Sequence, residues 1–152
     1  MVIIKMAQEN DLKEILELQY IAYQSEAKLF KTTDIPPLKQ TLEELYYEFQ
    51  KGIILKALDE SNAIIGSVRA YQEDGTVYIG KLMVHPRVQR KGIGTKLLLE
   101  IEMQYPNQRY ELFTSTKSTN NIRLYKKLGY EIFKEKSITQ ELQFVYMQKG
   151  YC

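Results

Sequence analysis

Apolar positions along the chain switch between two periods, and the switches mark its elements. Val2-Ile3-Ile4 opens as a short apolar run, after which Leu12, Ile15, Leu16 and Ile21 recur at helical spacing. Asp11 with Glu14 reads as a capping box ahead of them, which predicts a helix from there to about Leu29. Pro36-Pro37 within Thr32 to Lys39 predicts a loop. Thr41 with Glu44 forms a second capping box, opening a helix that Gly52 closes. Strand character follows in Ile53 to Ala57 and Ala63 to Tyr71. Asp74-Gly75 is the strongest hairpin signal, because a type I′ turn needs positive φ at both central positions. The returning strand spans Thr76 to Val84 and ends at His85-Pro86.

Gly92 to Gln104 predicts a helix with Leu97, Leu98 and Ile101 facing inward, stopped by Pro106-Asn107. Tyr110 to Thr114 reads as a strand. Ser118 or Thr119 then caps a helix ending at Leu128-Gly129, with the glycine in the left-handed position after the last turn. Tyr130 to Phe133 and Leu142 to Met147 complete the strands. The order β-α-α-β-β-β-α-β-α-β-β implies an α/β fold. Its sheet is mixed, with helices on both faces and a largely antiparallel N-terminal half.

Composition narrows the class. A chain of 152 residues, 44% of them apolar, suits one domain, so residues 1–152 are expected to form a single unit. Lysine plus arginine number 21 against 19 aspartate plus glutamate, a balance that argues against a dedicated nucleic-acid binder. Lys5, Glu9, Asp11 and Lys13 interrupt the first residues, so no secretory leader is expected. No apolar run approaches the length of a bilayer span, and no membrane role is expected. The lone cysteine, Cys152, is the final residue and forms no internal disulfide, which fits a soluble protein of a reducing cytoplasm. One histidine and one cysteine do not furnish a zinc site of the usual kind, so no metal is expected. No Gly-x-Ser-x-Gly elbow is present to suggest a hydrolase.

The chemistry concentrates in Leu82-Met83-Val84-His85-Pro86-Arg87-Val88-Gln89-Arg90-Lys91-Gly92-Ile93-Gly94-Thr95. A strand ends, a loop carries Arg87, Arg90 and Lys91, and two glycines flank a helix start. Glycine lets a ligand approach the backbone, and the first helical N–H groups have no partners within the helix. The helix dipole favours phosphate at that end, so the segment reads as an anion cradle. It lacks the third glycine of a dinucleotide fingerprint and the Gly-Lys-Ser/Thr of a Walker A loop.

Gln89-x-x-Gly92-x-Gly94 resembles the Gln/Arg-x-x-Gly-x-Gly/Ala signature of the GNAT superfamily, the acyl-CoA-dependent N-acyltransferases. Thr119-Asn120-Asn121-Ile122-Arg123-Leu124-Tyr125-Lys126-Lys127-Leu128-Gly129-Tyr130 is similar to that family's asparagine–tyrosine helix. The order of elements agrees from Val2 to Met147. The resemblance implies a mostly antiparallel sheet of about seven strands and acetyl-CoA as co-substrate. It implies that Gln89, Arg90, Lys91, Gly92, Ile93, Gly94 and Thr95 hold the pyrophosphate. Leu82, Met83 and Val84 would pair with the pantetheine arm, and Asn121 would hydrogen-bond it. Tyr125 would lie near the sulfur as the catalytic residue. Asn121 and Tyr125 are four apart in sequence and share a helix face, which lets both meet one ligand.

The implied reaction is direct attack of an amine on the thioester, Val84 offering an oxyanion donor and Tyr125 assisting the leaving thiolate. The general base stays open among Glu111, Tyr78, His85 and water, with Glu73 and Asp74 placed at a distant hairpin. Tyr20, Tyr23, Glu26, Tyr46 and Tyr47 suit a cationic amine, whereas Glu43 and Glu44 fit a solvated helix face better. A small-molecule amine is preferred, a polyamine, amino sugar or amino acid; a protein lysine or N-terminal amine is the alternative acceptor. A non-catalytic acyl-CoA-binding module shares the cofactor residues and differs only in lacking turnover. The alternating but mostly apolar strand Leu142 to Met147 favours a homodimer.

Overall fold

The computed structural model of the protein describes residues 1–30 and 34–150. In chain order the elements are β1 (Ile3–Met6), α1 (Leu12–Phe30), α2 (Pro36–Lys39), α3 (Leu42–Lys51), β2 (Ile53–Leu58), β3 (Ile64–Glu73) and β4 (Thr76–Val84). They continue with α4 (Ile93–Gln104), β5 (Arg109–Ser115), α5 (Thr119–Lys127), β6 (Glu131–Ser137) and β7 (Gln143–Lys149). One seven-stranded sheet runs β1-β2-β3-β4-β5-β7-β6. Every neighbouring pair is antiparallel except β4 with β5. The mixed, mostly antiparallel α/β fold expected from the sequence is the one observed.

Two faces of the sheet bury two clusters, as period-two alternation requires. Leu55 and Ala57 of β2 turn toward α4 and α5, packing with Leu97, Leu98, Ile101 and Tyr125. Ile54 and Leu58 of the same strand turn the other way, onto Ile15, Leu16 and Leu45 of α1 and α3. Arg69 of β3 ties those helices to the sheet. Its Nη1 donates to Gln40 at 3.1 Å and Glu48 at 3.2 Å, and its Nη2 donates to Gln19 of α1. At 5% exposure this guanidinium is buried, and three polar partners offset its desolvation.

Several local expectations shift by a turn. Asp11 does not open α1 with Glu14: its carboxylate accepts the Gln8 N–H at 2.8 Å and the Lys56 ammonium at 2.7 Å. Glu14 accepts the Ile64 N–H at 3.0 Å instead, so both acids serve the sheet. The Thr41–Glu44 box forms as expected. Pro36–Lys39 makes one helical turn where a loop was expected, started by its prolines; Thr32, Thr33 and Cys152 lie outside the described residues. Asp74 and Gly75 both take positive φ, 52° and 81°. β6 extends to Ser137 because its ladder with β7 includes polar residues that no apolar alternation marks. No helix among the described residues is long and apolar enough to cross a membrane.

Two irregularities of β4 position the site. Arg69 pairs with Gly80 and Ser67 with Met83, so Val68 alone faces Lys81 and Leu82. That is a β-bulge, and Lys81 takes φ +53° within it. Already ahead of the bulge, after Tyr78, β4 leaves β5. Their parallel ladder holds only Thr76–Arg109, Val77–Tyr110 and Tyr78–Glu111, while β5 continues against β7. One edge of the second half of β4 is thereby open.

Candidate active site

Where β4 and β5 part, a trough of about 920 Å³ runs from the α4 N-terminus to α5. The His85 N–H donates to the Ile65 carbonyl at 2.8 Å. Backbone groups alternate in direction along a strand, so Val84 and Leu82 present theirs to the open side. At the trough's other wall, Gly92 caps α4 with φ +80°, and a Cβ there would meet nothing within 4 Å. The first intrahelical bond is from Lys96 N–H to Gly92 carbonyl, leaving the N–H groups of Ile93, Gly94 and Thr95 without helical acceptors. Their combined dipole and Arg90 make this end of the trough positive. His85 has a local duty: its Nδ1 accepts the Arg87 N–H at 3.1 Å, capping the turn Pro86–Val88.

Leu82, Met83, Val84, Gln89, Arg90, Gly92, Ile93, Gly94, Thr95 and Asn121 all line the trough. Lys91 is exposed and lies off its lining. Tyr125 lines a smaller neighbouring cavity of about 200 Å³, which shares Tyr23, Glu26, Leu82 and Asn121 with the trough. The tyrosine is 5% exposed, its ring centroid 6.0 Å from that of Tyr130. Burial, and then the charge of Glu26, push its hydroxyl pKa above the usual phenol range, so it is a proton donor at neutral pH.

Glu26 stands where the two cavities meet. Its Oε1 accepts from Ser118 Oγ at 3.0 Å and from Asn121 Nδ2 at 3.3 Å. Ser118, the residue before α5, therefore uses its hydroxyl on α1 rather than to cap its own helix. Burial raises the Glu26 pKa, and the two hydrogen bonds only partly oppose that rise. Its Oε2 has no hydrogen-bond partner among the described residues. Tyr23, one turn earlier, is also pushed up by burial and by Glu26.

The other candidate bases are placed elsewhere. Glu111 is ion-paired with Arg109 at 2.9 Å, at the last rung before the strands part. Tyr78 stacks on Tyr71 with centroids 5.2 Å apart, and Glu73 and Asp74 are exposed at the hairpin. Sequence reasoning placed Glu26 in the acceptor region as a partner for a cationic amine, not among the candidate bases, and passed over Lys81. A signal for Glu26 existed: Leu12, Ile15, Leu16, Gln19, Tyr23 and Glu26 share one face of α1, so two polar residues interrupt a buried stripe. Nothing local marks Lys81, whose position depends on the bulge. No group of three or more metal-ligating side chains occurs among the described residues.

The site thus sets an opening parallel strand pair beside a helix N-terminus that no side chain caps. Residues 10–130 match the acetyltransferase (GNAT) family, and the chain belongs to that family. It is similar to a PaiA N-acetyltransferase from Thermoplasma acidophilum solved with coenzyme A: 18% identity, 99% of each chain covered, TM-score 0.79. It is also similar to the ribosomal-protein-S18-alanine N-acetyltransferase of Escherichia coli, with 15% identity over 100% of this chain and 96% of that one, TM-score 0.79. A phosphinothricin acetyltransferase from Sinorhizobium meliloti, solved with acetyl-CoA, shares 20% identity over 97% and 87% of the chains, TM-score 0.76. At these identities the likeness is one of fold. Among curated proteins, UPF0157 protein YqkA of Bacillus subtilis is 26% identical over 120 residues, 78% of this chain. The chain spans 34% of that relative's length.

Proposed function

We propose that the protein, acting through residues 1–152 as one domain, transfers an acetyl group from acetyl-CoA to the primary amine of a small molecule. The observation that carries the reading is the continuity of two cavities. A trough with a positive helix end and an open strand edge meets, at Glu26 and Asn121, a chamber holding Tyr125. The residues present suit coenzyme A. Unfilled N–H groups at Ile93 to Thr95, with Gln89 and Arg90, suit its pyrophosphate, and the free edge at Leu82 and Val84 suits an amide-bearing arm. Asn121 spends its Nδ2 on Glu26 and Thr114, leaving its carbonyl oxygen for that arm.

Bound acetyl-CoA supplies a thioester whose carbonyl carbon is open to attack by an amine and whose sulfur leaves as thiolate. The chain's own groups answer the three proton and charge demands of that exchange. Glu26 Oε2 takes the proton that the ammonium must lose, its basicity raised by burial. The Val84 N–H faces the open edge as donor to the carbonyl oxygen. Tyr125, kept protonated, donates to the departing sulfur; a thiol of pKa about 8.5 needs a hydrogen bond more than a full proton. The same reading places the protein in the cytoplasm. It also expects a homodimer through the face of β5, β7 and β6 on which Phe113 and Phe133 are exposed beside Tyr146.

The test is a melting curve with acetyl-CoA, CoA, ATP and NAD, followed by thiol release with an amine panel. A ligand at 100 times its Kd adds about 2.7 kcal/mol, roughly 5–11 °C at this length. A shift with both CoA species but not ATP or NAD, and release that requires an amine, are expected. Binding without amine-dependent release would overturn the transferase reading and leave a sensing module.

A further inference from the structure

The smaller cavity is lined by residues of opposite charge. Glu26 enters it from α1, with Oε2 unengaged. Lys81 enters it from β4 at the bulge, in a left-handed conformation that a long side chain rarely adopts. Among the described residues, the Lys81 ammonium has no ion pair or hydrogen bond. The nearest carboxylate that attracts it, Glu48, is already held by Arg69 at 3.2 Å and by Gln40. Arg69 repels it from the same side, so its surroundings leave one cationic charge in excess. Burial, then Arg69, lower the Lys81 pKa; an anion beside it would restore the charged form.

Size and closure add to charge. Ile35, which is buried, packs with Leu142 of the β6–β7 turn and roofs the cavity from outside. At about 200 Å³ the space equals roughly six or seven waters, enough for an acceptor of about ten non-hydrogen atoms. A spermidine-like chain presents a second cation to Lys81, and a protein lysine must thread a backbone past the roof. Both are disfavoured on geometry already described.

We infer that the acceptor is a small aminocarboxylate, whose amine meets Glu26 and whose carboxylate meets Lys81 inside the roofed cavity. This rests on the transferase reading and specifies its substrate class. The opposed carboxylate and ammonium fix the acceptor's direction, so that its nitrogen points toward Tyr125 and the trough. An amine lacking the carboxylate leaves Lys81 desolvated and unanswered, which is the stronger basis of discrimination.

The test uses the full chain and follows thiol release from acetyl-CoA. Acceptors are the twenty standard amino acids, each beside its decarboxylated amine, with spermidine and a lysine-containing peptide. The best amino acid should exceed its decarboxylated partner in kcat/KM by about 100-fold or more, and Lys81→Met should reduce that ratio to about threefold or less. Lys81→Met should keep the parent's acetyl-CoA melting shift, which shows that its fold and trough survive. Lys81→Arg should retain a preference for the acid. Release that is equal or better with the decarboxylated amines, spermidine or the peptide overturns this inference and leaves the transferase reading standing. A ratio unmoved by Lys81→Met overturns it equally. No release with any acceptor, despite an acetyl-CoA shift, overturns both.

Discussion

Tyr125→Phe separates a catalytic hydroxyl from a core aromatic. The ring is 5% exposed and lies against Tyr130, but its hydroxyl makes no hydrogen bond among the described residues. Phenylalanine keeps the ring and removes an oxygen with no protein partner, so stability should change by no more than about 0.5 kcal/mol. That is roughly 1–2 °C in Tm. If the hydroxyl serves the departing sulfur, losing one donor to developing charge costs about 2.7–4 kcal/mol, a 100- to 1,000-fold fall in kcat. The assay is thiol release at saturating acetyl-CoA and acceptor, with Tm measured on the same sample. Because burial and Glu26 hold the phenol protonated, the parent's kcat should show no alkaline fall from Tyr125 below pH of about 10. A variant within about threefold of the parent's kcat would refute the leaving-group role and return Tyr125 to the core.

Three further outcomes are expected. The Glu26 carboxyl keeps its proton to higher pH folded than unfolded, so the folded chain holds the extra proton just above the ordinary 4.5 and stability falls as pH rises through that window. Glu26→Gln should therefore melt above the parent at pH 7 and level with it below pH of about 4, while losing turnover; a lower Tm at pH 7 would contradict the sign. Gly92→Ala forces a side chain into φ +80° and should cost about 1–2 kcal/mol, roughly 2–8 °C, with weaker acetyl-CoA binding by calorimetry; unchanged affinity would detach the loop from the cofactor. Gly52→Ala would put a Cβ 2.0 Å from the Ala70 carbonyl oxygen, backbone against backbone. A loss of about 3 kcal/mol or more in urea unfolding is expected, and an unchanged midpoint would refute the close approach.

Much of the fold was legible because its causes are local. The Thr41–Glu44 cap, the Asp74-Gly75 turn and the apolar run of β2 depend on residues a few positions apart, and local pattern reports them directly. The glycine loop was legible for the same reason: an uncapped helix start with Gly92 at positive φ needs only neighbours in sequence. Tertiary structure decided the rest. The Asp11 carboxylate left its expected partner for Lys56, which lies 45 positions away. Glu26 became a partly buried, hydrogen-bonded acid only because α1 meets Ser118 and Asn121, 92 and 95 positions on. Lys81 reached the second cavity through a mismatch of one residue between β3 and β4, a property of the pair that neither strand displays alone. The sequence by itself determined most of the helices and strands and the glycine turn that opens α4, since those follow from short-range sterics and backbone conformation. The charged residues that line the second cavity were placed by packing, because burial and long-range hydrogen bonds exist only once distant elements have met.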